Sequence, residues 1–421
     1  MEVNKAMLEL RRNGGGPVHI NLITTYSRDF SVKELPHVKV MRRFQAWDEL
    51  PVLPEGRIGI YVGSHTHFSQ KQNRAIDRFC ATYDAVVICD HTSGYYGKYK
   101  LLPTLVQLQS DITSPFPPLD LMVHIGEISA ASFNDTIPAK EVWRVSEDGE
   151  LRDPFKKLTT VFQMSEEMFF LHYGKDGCNR HVLIDECREL FGEIYEQIPE
   201  LPFCNIWTAM QLSSRLPKGA LFHMGVSNTR RCWNMFQLPE SVESACNVGC
   251  CGIDGCVSTL VGASLVNPDR LCYVVVGDLT FFYDLNSLGN HHIGTNLRVM
   301  LVNNGRGTEF RLGIHHCNVF GDDADKYMAA AGHFGNKSPL LVKHYAEDLG
   351  FHYLSATTKE EFMTALSNFT NPQLSDHSMI LEVFTDSKDE SEALYLMSHI
   401  QSDAKGMVRS KLKDAVRNVA G

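Results

Sequence analysis

Two largely apolar segments, the unbroken run 271–276 and the run 297–302 with Arg298 as its one charged residue, are each followed by small and polar residues. Apolar runs of this length, bounded by turn residues, are typical of strands buried on both faces of a parallel sheet. Gly277 and Asp278 follow the first segment, and Asn304 closely follows the second. Ligands of open parallel sheets bind at the carboxyl ends of the strands. We therefore expect Asp278 and Asn304 to meet across one crevice if the two strands are neighbours.

An aspartate and an asparagine oxygen together suit Mg²⁺, which prefers oxygen ligands and often shares its shell with phosphate groups. Gly277, Gly305 and Gly307 would let the backbone approach a diphosphate, and a helix predicted to begin near Leu285 would direct its N–H groups towards that charge. Strand ends are also rich in Gly, Asn and Asp simply because the chain turns there. Spacing alone therefore leaves both interpretations open.

Strand patterns alternate with helix patterns along most of the 421 residues, which predicts an α/β fold. The length favours two domains. We expect two doubly wound, mainly parallel sheets, the first in a Rossmann-like central domain over residues 51–175. The second lies over residues 176–421, with a helical C-terminal tail. Residues 23–50 are predicted to be an irregular linker, and residues 1–22, with a short strand over 18–22, to be the end of another domain.

The composition of the chain argues against several classes of protein. The net charge of −10 and the lack of a long basic run argue against a nucleic-acid-binding protein. No apolar stretch is long enough to cross a bilayer, and the N-terminal residues lack a signal-peptide core, so we expect a cytoplasmic protein. The cysteines between residues 246 and 256 form no CxxC pair, which favours structural cysteines over a metal cluster.

The segment GDLTFFYDLNSLGNHHIGTNLRVMLVNNGRGTEF, residues 277–310, resembles the motif that binds thiamine diphosphate (ThDP) in the pyruvate-decarboxylase-like superfamily. Asp278 and Asn304 stand 26 residues apart, as that motif requires. Together with GIDGCVSTLVGAS, residues 252–264, it is more specifically similar to the synthases of menaquinone biosynthesis within that superfamily. GPVHINL, residues 16–22, resembles the segment at the end of the superfamily's pyrimidine-binding domain.

This resemblance implies ThDP and Mg²⁺ as cofactors. It implies that Asp278, Asn304 and the backbone oxygen of Arg306 are the protein ligands of the metal ion. The residues that it places beside the cofactor are Gly252, Ile253, Asp254, Gly255, Gly277, Asp278, Leu279 and Asn304.

Four residues are implied in catalysis or substrate binding. Ile253 matches the apolar residue that holds the cofactor in its bent V shape, although taken alone it would be a plain core residue. Ser227 and Arg231 match a serine and an arginine on the substrate side, and Phe310 matches an aromatic residue near the active site. An arginine at that place would bind a substrate carboxylate through two hydrogen bonds. As an isolated residue, Arg231 would equally suit the surface.

The sequence departs from the family pattern at three points. Val248 stands where the menaquinone synthases have an arginine, and Glu309 replaces an expected apolar residue. In the superfamily, a glutamate of the pyrimidine-binding domain hydrogen-bonds the cofactor's aminopyrimidine ring, and the resemblance assigns no residue of this chain to that role.

We therefore expect the diphosphate- and Mg²⁺-binding part of a ThDP-dependent 2-oxo acid decarboxylase or carboligase, a lyase or transferase. It would use a pyrimidine-binding domain in trans or belong to a longer protein, and it would form a homo-oligomer, either a dimer or a tetramer. The alternative is a non-catalytic protein of this fold that binds cofactor or a partner without turnover. A nicotinamide-dependent dehydrogenase is disfavoured because residues 63–69, GSHTHFS, are a poor substitute for GxGxxG.

Overall fold

The apolar segments form strands, and every named strand among the described residues belongs to one of two parallel sheets. The computed structural model describes residues 2–23, 26, 28–29, 31, 33–34, 40–112, 116–127, 137–249, 252–313, 315–328 and 338–408. Helices alternate with the strands in both halves of the chain. The predicted α/β class with two parallel-sheet domains is thereby confirmed.

The first sheet has the strand order β1-β7-β6-β5-β2-β3-β4. Its strands are β1 Arg42–Gln45, β2 Ile58–Val62, β3 Val86–Ile88, β4 Lys100–Leu101, β5 Leu119–Ile125, β6 Ala139–Ser146 and β7 Leu158–Gln163. The helices of this half are α1 Glu2–Glu9, α2 Gln70–Tyr83, α3 Thr104–Leu108 and α4 Glu166–Tyr173, with a 3₁₀ turn at Arg12–Gly14.

The second sheet has the order β12-β13-β11-β10-β8-β9. Its strands are β8 Leu221–Met224, β9 Glu243–Cys246, β10 Cys272–Gly277, β11 Leu297–Asn303, β12 His352–Ala356 and β13 Met379–Phe384. Its helices are α5 Val182–Glu196, α6 Asn205–Leu212, α7 Asn228–Trp233, α8 Cys256–Val266, α9 Asp278–Asp284, α10 Leu341–Asp348, α11 Lys359–Phe369 and α12 Ser387–Ser398. The 3₁₀ segments are Ser213–Arg215, Leu285–Gly289, Thr308–Arg311 and His316–Lys326.

One hydrophobic core runs through the first sheet and one face of the second, and a smaller core covers the other face of the second sheet. The central strands β10 and β11 are almost completely buried, as their largely apolar sequences predict, and the burial of β11 includes its one charged residue, Arg298. The two strands therefore have little freedom to shift, and their carboxyl ends are fixed positions from which side chains can be presented.

The loop after β3 forms polar contacts with residues in the half of the chain that contains the second sheet. The His91 backbone N–H donates to Asn234 Oδ1 at 2.8 Å, and the His91 ring donates from Nε2 to the Phe236 carbonyl at 2.8 Å. Burial lowers the pKa of His91 to about 4, so the ring is neutral at physiological pH. Beside it, the buried Asp90 carboxylate lies 3.4 Å from the Arg230 guanidinium of α7. Polar groups that are buried between the sheets are thus bonded across the junction.

Three local predictions were wrong. The described residues 15–23 contain no strand, although one was expected over 18–22. The segment expected to be irregular over 23–50 contains β1, which pairs with β7 at the sheet edge. The helix expected to begin near Leu285 instead begins at Asp278, directly after β10, and continues as a 3₁₀ segment from Leu285.

Among the described residues, no group of histidine, cysteine and acidic side chains is arranged to hold a metal ion, and seven of the ten described cysteines are buried. Cys250 and Cys251 lie outside the described residues. Within the same part of the chain, no helix combines the length and apolarity needed to traverse a bilayer.

Candidate functional site

The two strands that carry Asp278 and Asn304 are direct neighbours. Strands β10 and β11 pair in parallel along their length, with Gly277 opposite Val302. Asp278 and Asn304 consequently leave the sheet at the same edge and line the same pocket. The condition on which the predicted crevice depends is therefore met.

The pocket has a volume of about 150 Å³ and is bounded by the ends of β10 and β11, the start of α6, the loop before α7 and the 3₁₀ turn after β11. Of the residues predicted for the site, eight line it: Ser227, Ile253, Gly277, Asp278, Leu279, Asn304, Arg306 and Phe310. Gly252 and Asp254 flank the lining residue Ile253, and Gly255 and Arg231 each lie two positions from a lining residue, but none of the four is in the lining.

Asp278 is buried, with only 2% of its surface exposed. Its Oδ1 accepts a hydrogen bond from the Leu279 backbone N–H at 2.7 Å. A Cβ placed on the preceding Gly277 would meet no atom within 4 Å, so the pocket is open to a ligand at the point where β10 ends. A carboxylate held at the floor of such an opening is well placed to bind a cation, because a buried charge requires a compensating one.

The structure separates the roles of the two consecutive asparagines after β11. Asn303 is buried and donates from Nδ2 to Glu382 Oε1 at 2.7 Å, while its Oδ1 accepts from the Gly305 N–H at 3.3 Å. Asn304 lines the pocket, and its Oδ1 accepts a long bond from the Arg306 N–H at 3.4 Å. Asn303 is thus a structural residue of the sheet, and Asn304 is the asparagine available to a ligand.

The chain turns sharply at Gly305, whose φ of +80° is a conformation that favours glycine. This turn brings Arg306 back to the pocket, where its carbonyl accepts from the Thr308 N–H at 2.9 Å. A carbonyl oxygen has a second lone pair for a metal ion. Asp278, Asn304 and this carbonyl supply only oxygen donors, which is the set that Mg²⁺ prefers. The residues present therefore fit the predicted metal ion.

Ile253 lies in the loop before α8, is partly buried and lines the pocket, so it is placed where a ligand in the pocket would meet it. Gly255 follows it with a φ of +81° at the N-cap of α8. This left-handed position explains why a glycine stands there without requiring it to contact a ligand.

Ser227 lines the pocket with a strained backbone, φ +59° and ψ −121°, just before α7. Its carbonyl accepts from the Arg231 N–H at 3.0 Å, which begins the helix. Non-glycine residues in this region are uncommon and cluster at functional sites. The strain fixes the serine at the pocket.

The Arg231 guanidinium does not stand open to the pocket. It forms two hydrogen bonds with the Glu309 carboxylate, Nη2 to Oε1 at 2.6 Å and Nη1 to Oε2 at 3.1 Å. Glu309 lines the pocket, so the fork expected to receive a substrate carboxylate already holds a carboxylate of the same chain. Val248, at the other departure from the family pattern, is a buried apolar residue.

Asn205 is a pocket residue that the sequence reasoning missed. It is the first residue of α6, is 2% exposed, and its Oδ1 accepts no hydrogen bond from the described residues. Its backbone N–H donates to Glu390 Oε1 of α12 at 3.0 Å. No local motif marks Asn205, because the residues that place it come from a helix far away along the chain.

The two histidine pairs lie apart from this pocket lining. His291 and His292 are exposed and contact each other with ring centroids 3.8 Å apart and ring planes tilted by 41°. His315 packs edge-on against Phe310 with centroids 5.1 Å apart, and its Nδ1 accepts from the Cys317 N–H at 3.0 Å.

No family model matches the chain. Curated proteins do match it over nearly its whole length. It is 28% identical over 420 residues to 2-succinyl-5-enolpyruvyl-6-hydroxy-3-cyclohexene-1-carboxylate synthase of Bacteroides thetaiotaomicron, covering 93% of this chain and 72% of the relative. The synthase of the same name from Bacteroides fragilis is 29% identical over 425 residues, with the same coverage of both chains.

A third relative matches a shorter segment of the chain with a higher sequence identity. The synthase of the same name from Christiangramia forsetii is 33% identical over 199 residues, which are 47% of this chain and 33% of the relative. The resemblance indicated by the two sequence motifs is thereby confirmed: the chain is similar over nearly its whole length to synthases of this name.

Proposed function

We propose that this chain is the diphosphate- and Mg²⁺-binding part of a ThDP-dependent enzyme that decarboxylates a 2-oxo acid or joins it to a second substrate. The observation that carries the proposal is that Asp278 and Asn304 line one pocket at the ends of neighbouring parallel strands. The similarity to enzymes of the superfamily supports it independently.

In this proposal the metal ion binds to Asp278, Asn304 and the backbone oxygen of Arg306. The open space beside Gly277 admits the diphosphate, because no Cβ occupies it. Bound there, ThDP supplies the nucleophile and the electron sink that decarboxylation of a 2-oxo acid needs. Ile253 supports the cofactor from the loop before α8, while Gly252, Asp254, Gly255 and Leu279 shape the surrounding backbone.

The polar groups of Ser227 and Asn205 orient what binds beside the metal site, and Phe310 limits access of water from the 3₁₀ turn after β11. Residues 176–421 form the domain that contains this pocket, and residues 51–175 form a central domain that supports it through the loop after β3. A pyrimidine-binding domain supplies the carboxylate for the aminopyrimidine ring, either in trans or from a longer protein. The complete site is formed in a homo-oligomer.

Calorimetric titration with ThDP in the presence of Mg²⁺ tests the metal site directly. We expect Asp278→Ala to weaken ThDP binding by at least about tenfold, which corresponds to ~1.4 kcal/mol. Asp269→Ala is the matched control, because Asp269 is exposed and precedes the amino end of β10. Equal affinities of the wild type and Asp278→Ala would refute the assignment.

The alternative function is a non-catalytic protein of this fold that binds ThDP. It is compatible with the Arg231–Glu309 pair, which occupies the substrate side of the site. Decarboxylation assays with a panel of 2-oxo acids, with and without a pyrimidine-binding polypeptide, distinguish the two. Turnover that depends on that polypeptide supports the enzyme, and cofactor binding without turnover under either condition supports the alternative.

A further inference from the structure

The pairing of Arg231 with Glu309 determines which ligands the substrate side of the pocket can accept. The two residues come from different elements, Arg231 from α7 and Glu309 from the 3₁₀ segment Thr308–Arg311. Their side chains are 22% and 23% exposed, so the pair is largely shielded from water. Asn228 Oδ1 accepts a further, longer bond from Arg231 Nη1 at 3.4 Å. The guanidinium is therefore held in place by side chains of its own chain.

A guanidinium fork matches one carboxylate through two parallel hydrogen bonds. Glu309 makes both of these bonds, so a ligand carboxylate must displace it to reach Arg231. The displaced Glu309 carboxylate would then remain beside the ligand's negative charge in a partly desolvated place, where like charges repel strongly. The pair thus opposes a second carboxylate at this position.

The remaining charges of the lining do not alter this conclusion. Asp278 and Arg306 are the other charged lining residues, and both belong to the strand ends where the metal site is proposed. Val248, which stands where the menaquinone synthases have an arginine, is buried and is not among the lining residues. The substrate side is therefore close to neutral once Arg231 and Glu309 are paired.

We propose that Glu309 is a specificity-determining residue that occupies the carboxylate-binding fork of Arg231 and selects for acceptors without a carboxylate at that position. The acceptor class would be neutral carbonyl compounds, whereas dicarboxylates would be rejected. The product in the name of the relatives, by contrast, carries carboxylate and succinyl groups. This inference rests on the proposed function, because only a ThDP enzyme has an acceptor side in this pocket.

Binding of two small probes, succinate and its uncharged analogue succinamide, tests the proposal by calorimetry on the full chain. The wild type is expected to bind succinate no more tightly than succinamide. Glu309→Gln and Glu309→Leu are expected to bind succinate roughly tenfold more tightly than the wild type, because they release the Arg231 fork. Their affinity for succinamide should not change. Two different replacements keep the test valid if one variant folds poorly.

Two further variants test whether the gain in succinate affinity depends on Arg231. Arg231→Gln combined with Glu309→Gln should lose the gain for succinate, whereas Glu360→Gln, which removes one exposed negative charge on α11, should behave as the wild type. An unchanged succinate affinity in both Glu309 variants would overturn the proposal, and so would a gain that persists in the double variant.

ThDP titration of the same samples separates this inference from the proposed function. A wild type that does not bind ThDP contradicts the function, whereas Glu309 variants that bind ThDP normally but gain nothing for succinate contradict only the role of Glu309.

Discussion

The carboxyl group of Glu390 accepts a hydrogen bond from the backbone N–H of Asn205 at 3.0 Å, and so links helix α12 to the start of α6 at the pocket. The same oxygen accepts from Thr385 Oγ1 at 2.9 Å. Glu390 and Asn205 are almost completely buried. The position of a pocket side chain thus depends on a residue 185 positions away in the sequence.

Replacing Asn205 with alanine should weaken ThDP–Mg²⁺ binding roughly fivefold to tenfold, because the pocket loses a buried polar group that faces the ligand. The free energy of unfolding should fall by no more than about 2 kcal/mol, since the backbone bond to Glu390 is retained. Calorimetry and urea unfolding measure the two effects separately. Asn368→Ala, on the exposed face of α11, is the control. Unchanged cofactor affinity in Asn205→Ala would remove this residue from the site.

Glu390 makes stability depend on pH. Burial, together with the charges of Asp389 and Asp278, raises its pKa from 4.5 to about 7, despite the hydrogen bonds from Asn205 and Thr385. The folded protein keeps this proton up to about pH 7, whereas the unfolded chain loses it near pH 4.5. The unfolded state therefore binds fewer protons in this window, and the contribution of Glu390 to the free energy of unfolding falls as the pH rises.

Glu390→Gln should abolish that contribution, because glutamine stays neutral and its Oε1 can still accept both hydrogen bonds. Relative to the wild type, the variant should gain on the order of 3 kcal/mol in unfolding free energy between pH 4.5 and pH 8. Chemical denaturation at several pH values checks this, with Glu392→Gln on the exposed face of α12 as control. A difference between variant and wild type that is the same at every pH would contradict the assigned proton.

The ion pair between Arg230 and Asp90 should be sensitive to the loss of one partner. Its side chains are 8% and 2% exposed, so Arg230→Met would leave a buried carboxylate without its cation and cost about 3 kcal/mol of stability. Combining Arg230→Met with Asp90→Asn should recover part of the loss. Lys140→Met breaks an exposed pair with Asp120 and should cost less than about 1 kcal/mol in the same urea titrations. Equal losses for Arg230→Met and Lys140→Met would show that the junction is not desolvated.

Ser227 offers a test of backbone strain that is independent of its hydroxyl group. Glycine adopts its φ of +59° and ψ of −121° without strain, whereas alanine does not. We expect Ser227→Gly to be more stable than Ser227→Ala by about 1 kcal/mol, measured by thermal or urea unfolding. Both variants lack the hydroxyl group, so their ligand affinities should change equally. Alanine matching glycine in stability would mean that the loop relaxes.

The strand segments were predictable wherever a residue's surroundings are determined by its neighbours in the chain. Largely apolar runs predicted β10 and β11 almost to the residue. Helix α2 begins at a capping box that Ser69 and Gln72 form, which is a signal carried by neighbouring residues alone. The edge strand β1, with its sequence Arg-Arg-Phe-Gln, has no such signal and forms only because β7 is available beside it.

The site residues divide in the same way, into those that neighbouring residues predict and those that distant contacts place. Asp278 and Asn304 were predictable from their positions at strand ends and from the family motif, and the structure brings them to one pocket. Asn205 was not predictable, since a contact with α12 places it. The family resemblance implied that Arg231 binds a substrate carboxylate, and the bond to Glu309 could not be inferred, because the two residues are 78 positions apart. The proposed roles of Asp278, Asn304, Asn205 and Arg231 in binding a metal ion, the cofactor or a substrate stay predictions.

Two successive arginines of α7 pair with different parts of the fold, Arg230 with the Asp90 loop of the first sheet and Arg231 with the Glu309 turn beside the pocket. Because the two arginines are consecutive, a displacement of α7 at the junction with the first sheet would also move the Arg231 side chain that pairs with Glu309. Substitutions at the sheet junction should consequently alter ligand preference without touching a ligand.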